Sequence, residues 1–149
     1  MAVGGERVLY VATALAGLDA DLGRRVRLHR EQRPSGWGTL EVGGGTLGAV
    51  LEAADRWEAV LVDSLTLWAS ARAAGAEEET LEEFDRFLEG AEALATPLIL
   101  VSDEVGLGVV PESGAGRRFR DVLGLVNQRA AAAAEEVHLC IAGIGVRIK

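Results

Sequence analysis

The fold is constrained most by four short apolar runs that alternate with longer segments of helical spacing. The runs are continuously apolar, a pattern typical of strands buried on both faces of a parallel sheet. They extend from Arg7 to Ala12, Ala59 to Asp63, Pro97 to Ser102 and Glu136 to Ala142. Since parallel strands are joined by right-handed helical crossovers, the pattern predicts a three-layer α/β domain that binds ligands at the carboxyl ends of its strands.

Three segments between these runs have the spacing of amphipathic helices. In the segment from Thr80 to Leu94, apolar residues recur on one face, and Thr80 with Glu83 matches the capping-box pattern. The segment from about Gly116 to Glu135 repeats this spacing and ends in an alanine run of high helix propensity. A shorter helix is predicted from about Thr46 to Ala54, after a glycine-rich turn.

Length and charge limit the classes of partner. A chain of 149 residues with 49% hydrophobic and 26% charged residues fits a single domain, which we expect to extend over residues 1–149. The net charge of −8 argues against a nucleic-acid or anionic membrane partner, because both would repel an acidic surface. Neither a membrane span of roughly 20 apolar residues nor a secretory signal is recognisable, so a cytoplasmic location is predicted.

The last apolar run carries the single cysteine and one of the two histidines. Cys140 has no partner for an internal disulfide and is predicted to be a buried strand residue. A metal site built on several thiolates is excluded for the same reason. His138 is likewise predicted to be a structural strand residue without a catalytic role.

Polar residues follow the predicted strands where each strand ends. Thr13 follows the first strand, and Asp63 with Ser64 closes the second. In nucleotide-binding α/β folds an acidic residue at this place associates with magnesium, directly or through water. The pattern by itself is weak and also fits a helix N-cap at Asp63 or Ser64, so both interpretations stay open. The paired carboxylates of the loop from Asp103 to Glu112 also have two interpretations, ligand binding or the capping of neighbouring backbone amides.

The segment from Arg24 to Glu41 is unusually basic and surrounds His29 with arginines. Guanidinium groups hold phosphate oxygens in bidentate hydrogen bonds, and a neutral imidazole can attack phosphorus. Phosphate chemistry at His29 is therefore one interpretation of these residues. A solvated basic face that carries a histidine by chance explains the same composition.

Taken together, these segments resemble the bifunctional adenosylcobinamide kinase / adenosylcobinamide-phosphate guanylyltransferase family of cobalamin assembly. The resemblance extends over nearly the whole chain, and its last three blocks are highly specific in combination. The blocks are VLYVAT (Val8 to Thr13), RVRLHREQRPSGWGTLE (Arg25 to Glu41), LVDSLTLW (Leu61 to Trp68), VSDEVGLGVVPE (Val101 to Glu112), RRFRDVLGLVNQRAAAAAEEVHL (Arg117 to Leu139) and GIGVRIK (Gly143 to Lys149).

The resemblance implies a P-loop NTPase-like (RecA-like) fold and a defined site. It implies that GTP guanylylates His29 and that the GMP passes to adenosylcobinamide phosphate, with GTP or ATP and Mg²⁺ as further participants. No residue is assigned as a dedicated metal ligand. A homo-oligomer, a trimer, is also implied. The nucleotide contacts implied by the resemblance are Ala12, Thr13, Ala14, Arg30, Glu31, Gln32, Arg33, Glu41 and Asp63.

The chain departs from the family pattern at one point. Its 149 residues hold no G-x-x-x-x-G-K-[ST] loop, and Lys149 is the only lysine. We therefore expect that a first strand, a phosphate-binding loop and a first helix, about thirty residues in all, are missing. The expected consequences are weak triphosphate binding, little kinase activity and self-association through unpaired strand edges. The alternative function is a non-catalytic homologue that binds a nucleotide or a corrinoid.

Overall fold

Four strands form one parallel sheet in the computed structural model, which describes residues 7–14 and 33–149. Within that part of the chain the spatial order of the strands is β2-β1-β3-β4, and each neighbouring pair is parallel. The described part thus confirms the predicted α/β class with a mostly parallel sheet, consistent with a P-loop NTPase-like fold. The strands are β1 (Val8–Ala12), β2 (Gly38–Glu41), β3 (Ala59–Asp63) and β4 (Leu98–Val101).

Strand β2 lies in a segment for which no strand was predicted. Its sequence, GTLE, has one aliphatic residue and begins with glycine, so it lacks the apolar run by which the other strands were found. Pairing with β1 forms it: Leu9 lies opposite Gly38, and Tyr10 lies opposite Thr39. A Cβ atom at Gly38 would come within 2.1 Å of the Trp57 ring, so the close approach of Trp57 requires glycine here.

The helices accompany the strands in the expected alternation. They are α1 (Gly48–Ala54), α2 (Leu65–Arg72), α3 (Glu77–Ala91) and α4 (Gly114–Ala133), with a single 3₁₀ turn at Val105–Leu107. None of the helices among the described residues is long and apolar enough to cross a membrane.

The capping box predicted at Thr80 and Glu83 is wrong. Helix α3 begins one turn earlier, at Glu77, and Ala76 is at its N-cap without a side-chain hydrogen bond. The hydroxyl of Thr80 instead donates to the Ala76 carbonyl at 3.2 Å. Three glutamates in the first turn stabilise this earlier start, because carboxylates interact favourably with the positive end of the helix dipole.

One hydrophobic core joins the sheet to all four of these helices. Leu9, Val11, Val60 and Val62 occupy alternate positions on β1 and β3, so they share one face of the sheet. The helices bury against that face the side chains of Val50, Ala54, Leu65, Trp68, Ala69, Leu81, Phe84, Phe87, Val122, Leu123 and Val126. In β1, Leu9 and Val11 therefore pack against the helices, whereas Tyr10 and Ala12 lie on the other face of the sheet.

The last apolar run does not join the parallel sheet, which corrects the prediction for Glu136 to Ala142. It forms β5 (His138–Ile141), which pairs antiparallel with β6 (Ile144–Arg147). Ala142 and Gly143 connect the two strands with positive φ angles of 53° and 79°, as a tight hairpin turn requires.

The hairpin is exposed, and the prediction that Cys140 is buried is wrong. His138 lies in a strand as predicted, and its Nε2 lies 3.1 Å from a carboxylate oxygen of Glu136. The Lys149 ammonium ties the end of the hairpin to α4 by donating to the carbonyls of Ala131 and Ala132 at 2.9 Å each.

Candidate functional site

The topology of the described sheet selects one crevice, between the carboxyl ends of β1 and β3. The chain leaves β1 for β2 on one side and leaves β3 for β4 on the other, although β1 and β3 are neighbours. Connections that diverge from adjacent parallel strands open a crevice, where such folds bind ligands. The residues at the two strand ends, Ala12 and Asp63, are register partners, and Glu41 at the end of β2 is the partner of Ala12 on its other side.

Thr13, which follows β1, is hydrogen-bonded to Ser64, which follows β3, across this crevice. It is fully buried, its hydroxyl donates to the Ser64 carbonyl at 2.7 Å, and it accepts from the Ser64 amide at 2.8 Å. The Thr13 amide also donates to the Asp63 carbonyl at 3.3 Å. The peptide bond between Asp63 and Ser64 is cis. The hydroxyl of Thr13 thus bonds both backbone groups of Ser64 and connects the residue after β1 to the start of α2.

Ser64, not Asp63, is the N-cap of α2. Its side chain accepts from the Leu67 amide at 3.3 Å, and its backbone is extended, as expected at this position. Of the two interpretations that the sequence left open for this pair, capping therefore belongs to Ser64. The carboxylate of Asp63 remains at the crevice.

The carboxylate of Asp63 accepts a hydrogen bond from the hydroxyl of Tyr10, which lies on the same face of the sheet. Burial raises the pKa of Tyr10 to about 12, with the hydrogen bond and the negative charge of Asp63 acting in the same direction. Tyr10 was not predicted as a site residue. The signal in the sequence is a single polar aromatic residue two positions before the end of an apolar strand.

The guanidinium of Arg33 stacks on the ring face of Tyr10. Its guanidinium carbon lies 3.5 Å from the centroid of the Tyr10 ring, and its Nη1 donates to the Thr39 hydroxyl at 2.9 Å. Contact between a cation and an aromatic face at this distance is attractive. Arg33, from the basic segment, is thereby held at the same strand ends as Asp63.

The described residues thus bring together five predicted contacts: Ala12, Thr13, Ala14, Arg33 and Asp63, with Glu41 on the neighbouring strand end. Ala14 is half-buried directly after Thr13. His29, Arg30, Glu31 and Gln32 lie outside the described residues, so their roles stay predictions.

The end of β4 is organised by different contacts. Asn127 of α4 accepts from the Ser102 hydroxyl at 2.6 Å and donates to the Asp103 carbonyl at 3.1 Å. The Glu104 side chain accepts from the Gly106 amide at 3.4 Å, at the start of the 3₁₀ turn. For Glu104 this geometry favours the capping interpretation over ligand binding.

Away from the strand ends, a groove of about 400 Å³ lies between α3 and α4. Its walls carry Glu77, Glu78, Glu82 and Asp85, and Arg129 pairs with Asp85 at 2.9 Å. An acidic groove repels phosphate.

The part of the chain that the structure describes holds no group of three or more His, Cys, Asp or Glu side chains arranged to hold a metal ion. The crevice between β1 and β3, where Arg33 supplies a positive charge, is the candidate site for an anionic ligand.

Comparison with known proteins points to one family. Residues 1–148 match the family described as cobinamide kinase / cobinamide phosphate guanyltransferase. The chain is 38% identical over 146 residues to the bifunctional adenosylcobalamin biosynthesis protein CobP of Pseudomonas aeruginosa, covering 97% of this chain and 84% of that protein. It is 35% identical over 159 residues to the bifunctional adenosylcobalamin biosynthesis protein CobU of Salmonella typhimurium, covering 96% of this chain and 86% of that protein. The chain therefore belongs to the cobinamide kinase / cobinamide phosphate guanyltransferase family.

Proposed function

We propose that this protein acts in cobalamin biosynthesis as a transferase that moves GMP from GTP to adenosylcobinamide phosphate through His29. The observation that supports this most directly is the register of the strand ends, where Ala12 lies opposite both Glu41 and Asp63 at the diverging connections. All three are nucleotide contacts implied by the family resemblance. The guanidinium of Arg33 beside Tyr10 adds the positive charge that a phosphate needs.

The proposed reaction has two displacements at one phosphorus. A nitrogen of the neutral His29 imidazole attacks the α-phosphorus of GTP, a P–N bond forms, and the bond to the bridging oxygen breaks to release pyrophosphate. A phosphate oxygen of adenosylcobinamide phosphate then attacks the same phosphorus and the P–N bond breaks. The products are adenosylcobinamide-GDP and free imidazole. Arginines near the phosphates stabilise the charge that develops on their oxygens.

Mg²⁺ fits this chemistry because it neutralises triphosphate charge and binds through one or two carboxylates together with phosphate oxygens. Asp63 is the residue that would hold it, since its carboxylate closes β3 at the crevice. The Tyr10 hydroxyl donates a hydrogen bond to that carboxylate.

Labelling with GTP tests the proposal. The protein is incubated with millimolar GTP labelled at the α-phosphorus, denatured, and examined for bound label that is stable to base and lost in acid. We expect label on the wild type and on His138→Ala, and none on His29→Ala. The second histidine is a matched control because it lies in the exposed hairpin and pairs with Glu136. Absence of label from the wild type would instead favour the alternative, a homologue that binds a nucleotide or corrinoid without turnover.

We further propose that the 149-residue polypeptide by itself binds triphosphates weakly and has little activity in the second family reaction, phosphorylation of adenosylcobinamide by GTP or ATP. The support is compositional: these residues include no G-x-x-x-x-G-K-[ST] loop to cradle the phosphates. Isothermal titration with GTP tests this, and a micromolar dissociation constant would contradict it.

Homo-oligomer formation, as a trimer, is also proposed. Besides the family resemblance, it is supported by large apolar side chains that are exposed on the hairpin and on the loop before α4, among them Leu107, Val109, Ile141 and Ile144. Such side chains often mark protein interfaces. Light scattering coupled to size exclusion measures the mass. A strictly monomeric protein at high concentration would contradict the proposal.

A further inference from the structure

Tyr10 lies between two side chains of opposite charge that come from distant parts of the chain. Its hydroxyl donates to Asp63 at the end of β3, and its ring face carries the guanidinium of Arg33 at 3.5 Å. Arg33 and Asp63 thus contact the same rigid residue at two different points. A tyrosine on a strand has few rotatable bonds, so each contact restricts the geometry of the other.

Two further contacts fix the orientation of the Arg33 guanidinium and the position of the backbone next to Asp63. Thr39 accepts from Arg33 Nη1 at 2.9 Å, which orients the plane of the guanidinium. The strand β3 that carries Asp63 is fixed by the Thr13 hydroxyl, which bonds to both backbone groups of Ser64. Tyr10 is therefore connected to a cation that is oriented by β2 and to a carboxylate whose backbone is held by β1.

We infer that Tyr10 is a positioning residue of the nucleotide site, which holds the Arg33 guanidinium and the Asp63 carboxylate in one fixed arrangement for the phosphates of a magnesium nucleotide. This inference rests on the proposed function and names the residue that organises its site. Tyr10 acts through its two neighbours, one by hydrogen bonding and one by stacking. The two interactions can be removed separately.

The coupling can be measured without any ligand. Tyr10 is the only tyrosine of the chain, so protein labelled with carbon-13 at the tyrosine ζ position gives a single resonance from this residue. At neutral pH we expect Asp63→Ala and Arg33→Gln each to shift that resonance. Asp55→Ala is the matched control, because Asp55 is an exposed carboxylate at the end of α1, and it should leave the resonance in place. A resonance unchanged by either Asp63→Ala or Arg33→Gln would overturn the inference.

The effect on the ligand is measured by equilibrium dialysis with GTP and Mg²⁺ up to millimolar concentration. We expect Tyr10→Phe, which keeps the ring, to weaken binding roughly tenfold, as for loss of a hydrogen bond to a charged group. Tyr10→Leu, which also removes the stacking surface, should weaken it more. The double variant Tyr10→Phe with Asp63→Ala should bind no more weakly than Asp63→Ala alone, because Tyr10 acts through Asp63.

The two hypotheses fail in different ways. Wild-type affinity in Tyr10→Phe, or losses that add in the double variant, would overturn the positioning role while leaving the proposed function intact. A wild-type protein that binds no GTP and takes up no label from it would count against the proposed function, and the tyrosine resonance then decides whether Tyr10 couples Arg33 to Asp63.

Discussion

Strands β3 and β5 have similar apolar sequences but opposite environments. In β3, Val60 and Val62 are completely buried, whereas in the hairpin Ile141 at the end of β5 is 60% exposed and Ile144 of β6 is 67% exposed. Strand β3 has a parallel neighbour on each edge and helices over one face, while β5 pairs with β6 alone among the described strands. Apolar composition therefore indicates that a segment forms a strand but does not indicate whether that strand is buried.

The largest effect is expected in the core that covers β3. Trp68 is fully buried, contacts Phe84 with ring centroids 5.7 Å apart, and donates from its indole to the Gly45 carbonyl at 3.1 Å. We expect Trp68→Ala to lower the free energy of unfolding by about 3–5 kcal/mol, since it leaves a large cavity in the core. Urea unfolding measures it. A loss below about 1 kcal/mol would show that the core is not organised around this side chain.

A smaller loss is expected at the connection between β1 and β3. Thr13→Val keeps the shape of the side chain but leaves the buried amide of Ser64 without its acceptor, whereas the Ser64 carbonyl still accepts from the Trp68 amide at 3.2 Å. An unsatisfied buried group costs about 1–3 kcal/mol, so we expect a loss of about 1–3 kcal/mol in the same measurement. Thr46→Val is the control, because the Thr46 hydroxyl accepts from the Gly48 amide in an exposed turn, and it should cost under about 1 kcal/mol.

The same substitution in the two regions tests the comparison directly. Val62→Ala removes two methyl groups from the buried part of β3, and we expect about 2 kcal/mol of destabilisation. Val146→Ala in β6 makes the identical change at a residue that is half exposed, where we expect less than about 0.5 kcal/mol. Both are measured at concentrations where light scattering finds a monomer. Equal losses would mean that the hairpin packs as tightly as the sheet.

The last prediction concerns the reactivity of the Cys140 thiol and involves no change in stability. As an exposed thiol it should react with a thiol reagent in the native monomer nearly as fast as in urea. Protection that develops as protein concentration rises would place the hairpin in the interface of the proposed oligomer. Slow reaction of a dilute monomer would contradict the exposed position of β5.

Much of the fold was predictable because the information is local. The apolar runs of β1, β3 and β4 and the helical spacing of α3 and α4 were recognised, and the ends of α3 and α4 were misplaced by two or three residues. Strand β2 was missed because its pairing with β1 outweighs a weak strand sequence. The start of helix α3 was misplaced because three glutamates form a first helical turn before the apparent capping box.

Some residues of the candidate site were predictable from the sequence, and others were found only in the structure. Ala12, Glu41 and Asp63 were named from the family resemblance, and the register of the sheet brings them side by side. Tyr10 was missed because an aromatic residue within an apolar strand is indistinguishable from a core residue until its neighbours are known. The hydrogen bond of the Thr13 hydroxyl to Ser64, a contact 51 residues away in sequence, was not predicted.

The sequence by itself determined the family, the alternation of strands and helices, and the residues that close each strand, because these depend on residue type, spacing and local propensity. Only the tertiary structure decided which apolar strands are buried, which residue caps α2, and that Tyr10 joins Arg33 to Asp63. Burial and hydrogen bonding depend on partners distant in sequence, and a residue's own chemistry does not specify which of the possible partners the fold will bring to it.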